Sequence, residues 1–109
     1  MDLNYLRQLF AHDDAMVARF IGLFRGQAPL LVGEIRQALD GSDFAAAARA
    51  AHTLKSQLRY LSETPLAELA QSLEAHAEAG RADACAHDFE ALETKLVDCL
   101  ERLAGHGMS

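Results

Sequence analysis

Apolar residues recur along this chain in steps of three and four, with charged and polar residues between them. One series runs Phe44, Ala47, Ala51, Leu54, Leu58 and Leu61, and another runs Cys85, Phe89, Leu92, Leu96, Cys99 and Leu103. A third joins Leu66, Leu69, Ala70, Leu73 and Ala77. Such spacing keeps one face of a helix apolar and predicts amphipathic helices on a common core.

Start and stop signals divide the chain into five predicted helices. The first is short, about Leu3 to Phe10, with Asp2 as its candidate N-cap. The second runs from about Asp14 to Leu39, between Asp13 and Gly41. The third, about Asp43 to Leu61, follows Ser42, an N-cap residue by type. The fourth, about Pro65 to Ala79, has Thr64 as candidate cap, Pro65 in the first turn and Gly80 as its stop. The fifth runs from about Ala82 to Ala104, and a frayed tail is expected from about residue 105. Short links favour antiparallel neighbours. The predicted fold is all-α: an up-down-up-down antiparallel four-helix bundle with a short N-terminal capping helix. No repeat or linker divides residues 1–109, so one domain is expected.

The second helix is the least regular. Gly22, Gly26, Pro29 and Gly33 fall inside it, and Pro29 is expected to bend it. Phe20, Leu23 and Phe24 fit an inward stripe with Met16 and Leu31, which leaves Ile21 pointing elsewhere. Ile21 then either meets the short first helix or belongs to an exposed apolar patch that docks a partner.

Composition agrees with a helical bundle. Half the residues are apolar, there is no tryptophan, and only 2 prolines interrupt 109 residues. A net charge of −6 disfavours nucleic acid as a partner. The longest apolar region, Met16 to Leu39, carries Arg19, Arg25, Glu34 and Arg36, so no membrane span is expected. No charged-then-apolar leader opens the sequence, and a soluble cytoplasmic protein is expected. Cys85 and Cys99 lie 14 residues apart on one predicted helix, roughly 21 Å along its axis, too far for a disulfide. Buried, reduced thiols are expected.

Charge then singles out one histidine. With His52 at zero and about 100° per residue, the core stripe of the third helix centres roughly 130° away. His52 is therefore expected at the surface. Ala45, Ala48, Arg49, Lys55, Ser56 and Arg59 share its face, so cations surround the ring in an otherwise acidic chain. Neutral imidazole is a nucleophile near neutral pH, and a carboxylate on one ring nitrogen would leave the other with its lone pair free. Neighbouring cations would offset charge on a transferring phosphoryl group.

The residues Ala51-His52-x-Leu54-Lys55, the helix-ending Leu61 and Leu73-Glu74 resemble the histidine phosphotransfer domain of multistep phosphorelays. The opening Asp2-Leu3-x-x-Leu6 and Gln27-Ala28-Pro29 extend the likeness over nearly the whole chain. The resemblance implies that His52 accepts a phosphoryl group from a receiver-domain aspartyl phosphate and passes it to the aspartate of another response regulator. It implies that Lys55 faces the phosphoryl group and that Glu74 bonds the imidazole. Receiver domains of a hybrid sensor kinase or a response regulator would be the partners, docking on Arg49, Ser56, Arg59 and Ile21. No cofactor is expected on this chain; Mg²⁺ would sit in the receiver. Three departures are visible: Ser56 replaces the family glycine after the lysine, Arg59 stands where a small residue is common, and Ser62 replaces the helix-closing glycine.

Other readings give less. His12 and His106 read as surface residues, and His76 as a packed histidine following the stripe of the fourth helix. Cys85-x-His87 lacks a second pair at zinc spacing, so no metal site is expected. No glycine-rich phosphate loop occurs, and neither ATP binding nor autophosphorylation is expected. The chain is thus expected to be a phosphocarrier rather than an independent enzyme, and nothing in it demands a dimer. The alternative is a helical adapter that binds a signalling partner without phosphorylation; a bundle binding a ligand or metal through His76 and the thiols is a weaker rival.

Overall fold

The computed structural model describes residues 2–105, and in it five helices follow one another through short turns. They are α1 (Asn4–Leu9), α2 (Asp14–Asp40), α3 (Phe44–Tyr60), α4 (Thr64–Glu78) and α5 (Ala82–Ala104). The four long helices pack in the cyclic order α2, α3, α4, α5, with α3 and α4 sharing the most extensive contact. The short α1 packs on α2. Among the described residues there is no strand. The bundle measures 41 × 20 × 18 Å. His106 and the rest of the predicted tail lie outside the described residues.

The periodic series become the core. Ala47, Ala51, Leu54, Leu58 and Leu61 are buried, as are Leu66, Ala70, Leu73 and Ala77. Cys85, Phe89, Leu92, Leu96, Cys99 and Leu103 line the same core. Both cysteines are free thiols, and burial, aided by Glu63, pushes that of Cys99 up to about 12.

The stripe of α2 differs from the expected one. The buried residues are Val17, Ile21, Phe24, Ala28, Ile35 and Ala38. Ile21 is 2% exposed, so it is a core residue and not part of a docking patch. Met16 and Leu23, placed in the core by the sequence reading, are exposed. Both stripes have helical period and are offset by about one residue. The realised stripe fills its inner positions with Ala28 and Ala38, which let neighbouring helices approach closely. By length and composition α2 could cross a membrane, because the charges of Met16–Leu39 lie far enough apart to leave an apolar window. The bundle uses this helix as a core element. Pro29 lies inside α2 without ending it.

The caps shift by one residue. Asp13 caps α2 as expected, its Oδ1 accepting from the amides of Ala15 and Met16 at 3.0 and 3.2 Å. Asp43, not Ser42, caps α3 by accepting from the Ala46 amide at 3.1 Å. Ser42 has φ +55°, a left-handed conformation that closes the preceding turn rather than opening a helix. At α4, Thr64 is already helical and Glu63 holds the cap position. The Glu63 side chain turns instead to Arg102 of α5, at 2.8 Å. Asp2 accepts from the Asn4 amide at 2.9 Å, although Leu3 is the cap residue of α1.

Candidate functional site

The site is built across the α3–α4 contact. His52 leaves α3 on the side away from the core, and its side chain is 59% exposed. Glu74 stands opposite on α4, its side chain 18% exposed. The His52 Nδ1–H donates to Glu74 Oε2 at 2.9 Å, and Lys55 Nζ donates to the other carboxylate oxygen, Oε1, at 2.7 Å. Lys55 is one turn along α3 from His52, so both reach the same carboxylate from one helix. The sequence reading expected an exposed Lys55. Its side chain is only 12% exposed, because the stem lies against the helix contact while the ammonium meets Glu74.

Opposing influences set the charge of Glu74. Partial burial alone would raise its carboxyl, but hydrogen bonds and charge from Lys55 and His52 outweigh this and hold it below the ordinary glutamate value. The carboxylate is thus ionised near neutral pH and accepts from Nδ1. That selects the tautomer of the neutral ring: Nδ1 carries the proton, and the lone pair is on Nε2. The arrangement offers an oriented imidazole nitrogen next to an ammonium group and open to solvent.

The other predicted residues fall around this centre. Ser56 follows Lys55, and its hydroxyl donates to the His52 carbonyl at 3.2 Å, which folds it back along the helix and keeps the surface low. Arg49 is exposed one turn before His52. Arg59 is exposed two turns after it, with Nη2 donating to Gln71 Oε1 at 2.6 Å. Arg49 and Thr53 line a groove shared with Leu31 and Glu34 of α2, so α2 flanks the histidine face. Gln57 of α3 donates to Gln27 of α2 at 2.7 Å along the same seam.

Sequence reasoning missed the apolar part of this face. Met16, Leu23 and Leu30 are exposed at 42, 56 and 68% and recur every seven residues on α2. A seven-residue step returns to nearly the same helix face, with about 20° of drift. Gln27, bonded to α3, lies between Leu23 and Leu30 and places this stripe on the side of α2 nearest the histidine face. The signal was the second apolar series of α2, which was read as the core.

A helical bundle that presents a carboxylate-held, exposed imidazole among cations has the construction of a phosphocarrier module. A family model, the Hpt domain, matches residues 19–106, a span that includes His52, Lys55 and Glu74. The chain belongs to the Hpt domain family. Its role is phosphotransfer in two-component phosphorelays, through interaction with receiver domains. No curated protein and no solved structure matches it.

Proposed function

We propose that His52 is the phosphoacceptor and that its Nε2 exchanges a phosphoryl group with receiver-domain aspartates. The observation that carries this reading is the His52–Glu74 hydrogen bond, which engages Nδ1 and leaves Nε2 free at the surface. In the forward step the Nε2 lone pair forms the N–P bond while the P–O bond to the aspartyl carboxylate breaks. The aspartate leaves as a carboxylate, and no proton needs to move. The phosphorylated ring keeps its proton on Nδ1 and becomes cationic, and the adjacent Glu74 carboxylate stabilises that charge. Transfer onward to another receiver reverses these events.

Lys55 balances the Glu74 carboxylate in the resting site and offers the nearest cation to the phosphoryl oxygens. The receiver supplies the aspartate and its Mg²⁺ from its own acidic pocket. Arg49 and Arg59 draw that acidic rim toward His52, and Met16, Leu23 and Leu30 supply apolar contact beside it. Ser56 leaves room for close approach, its hydroxyl being turned to the backbone.

The test is incubation with a phosphorylated receiver domain and Mg²⁺. The expected result is acid-labile, base-stable label on the chain, absent from His52→Gln. Label that persists in that variant would move the site elsewhere. Absence of label with every receiver of the source organism would favour the non-transferring adapter.

A further inference from the structure

Four cationic side chains of the described residues are held by another side chain, and three of them meet carboxylates. Arg36 pairs with Glu93, Lys55 with Glu74, and Arg102 with Glu63 and Asp98. Arg59 alone is held by a neutral group, the Gln71 amide oxygen at 2.6 Å. A carboxylate partner cancels most of a cation's field, whereas an amide fixes its position and leaves the charge intact. Holding the side chain also removes rotamer entropy that a docking partner would otherwise have to overcome.

Position fits a role toward the partner rather than toward the phosphoryl group. Arg59 lies seven residues after His52, about 10 Å along α3 and within roughly 20° of the same face. Gln71 stands on α4 one turn before Glu74 and draws the guanidinium sideways across the α3–α4 seam. Beyond it lies a groove lined by Tyr5, Arg59, Ser62, Ala67, Glu68 and Gln71. The guanidinium thus stands between the histidine and this groove, on ground that a receiver seated over His52 must cover.

We propose that Arg59, positioned by Gln71, is a partner-selecting charge. It admits receiver domains that place a carboxylate opposite it and rejects those that place a cation or a bulky apolar side chain there. Selection of this kind uses repulsion as much as attraction, since a like charge desolvated at an interface is strongly unfavourable. The inference rests on the phosphotransfer reading of His52.

The experiment measures transfer from a panel of purified receiver domains, charged with radiolabelled acetyl phosphate, to the wild type, Arg59→Gly, Arg59→Lys and Gln71→Ala. For the best receivers, Arg59→Gly is expected to raise KM by about tenfold, with the loss falling on KM rather than kcat. It should also narrow the gap between the best and poorest receivers. Arg59→Lys should recover part of the loss, and Gln71→Ala should raise KM by about threefold, because the charge remains but is no longer held. High salt should shrink the differences among these variants. Wild-type KM and receiver ranking in Arg59→Gly, with His52 still labelled, would overturn the proposal. So would a KM rise equal for every receiver and insensitive to salt, which would mean lost packing. No label on the wild type with any receiver would instead remove the phosphotransfer reading, and this one with it.

Discussion

Among the described residues, two histidines give Nδ1 to a carboxylate on the next helix. His52 of α3 bonds Glu74 of α4 at 2.9 Å, and His76 of α4 bonds Asp88 of α5 at 2.7 Å. The surroundings differ. His52 is 59% exposed and shares its carboxylate with an ammonium group, whereas His76 is 30% exposed and shares Asp88 with the Ser72 hydroxyl, at 2.7 Å. No lysine or arginine pairs with Asp88 among the described residues. On the reading proposed for His52, an oriented imidazole is not by itself enough for phosphotransfer. Access to the free nitrogen and cations for the incoming charge separate the two, and only the α3–α4 site has both. The α4–α5 pair reads as a polar clamp that satisfies a buried carboxylate.

The most severe test of this contrast exchanges the roles. His52→Gln is expected to lower receiver-dependent labelling by at least about a thousandfold, since the nucleophile itself is gone. His76→Gln is expected to label as the wild type does. Label that depends on His76 would overturn the distinction between the pairs.

The carboxylates should divide in the same way, one toward rate and the other toward stability. Glu74→Ala frees the His52 ring and removes the charge that balances the phosphorylated imidazole, so transfer should slow by about a hundredfold. Glu74→Gln keeps an acceptor for Nδ1 and should lose less. Asp88→Ala leaves Ser72 and His76 without their shared acceptor and should destabilise the fold by about 1–3 kcal/mol in urea unfolding. Its labelling rate at a temperature where it is folded should match the wild type. Slow transfer in Asp88→Ala would mean that the two pairs are coupled through α4.

How much of this was readable differs between the pairs, for physical reasons. His52 stood out because helix period alone places it off the core, among cations. Glu74 came from the family resemblance, and the short link between α3 and α4, which makes them antiparallel, was only compatible with it. The Lys55–Glu74 bond was not readable, since it depends on how closely the two helices approach, which a single-helix projection does not contain. Asp88 drew no notice, although it lies next to Phe89 and three residues after Cys85, inside the apolar series. Its pairing with His76 depends on the register between α4 and α5. In α2 the period was clear but the phase was not. Two apolar series compete there, and the choice of Ile21 over Leu23 for the core is made by the other helices.

Titration offers a smaller and more local measure. The Glu74 carboxyl lies below its ordinary value of 4.5 in the folded chain, which lowers proton uptake by the native state relative to the unfolded one. Its contribution to stability is then fully present above about pH 4.5 and is lost as pH falls through the depressed native value. The stability difference between the wild type and Glu74→Gln, followed by thermal unfolding across pH, should shrink as pH falls below about 4.5. A difference independent of pH would show that Lys55 and His52 do not favour the ionised carboxylate.

The smallest expected effect lies in the turns that set the register of each pair. The α3–α4 turn passes through Ser62 at φ +57°, and the α4–α5 turn through Gly80 at φ +69°. Both are left-handed positions, where a side chain is unfavourable and glycine is not. The His52–Glu74 pair therefore hangs on a strained turn and the His76–Asp88 clamp on a relaxed one. Ser62→Gly removes the Cβ conflict but adds freedom to the unfolded chain, so a net gain of about 0.5–1 kcal/mol is expected. Gly80→Ala should lose about 1 kcal/mol, although a Cβ there meets nothing within 4 Å, because the penalty is in the backbone rather than in contact. Urea unfolding of both variants checks the pair of signs. A destabilised Ser62→Gly would mean that the serine side chain supports the turn in a way its backbone angle does not reveal. In that case the strain would not distinguish the two regions, and only exposure and charge would remain to do so.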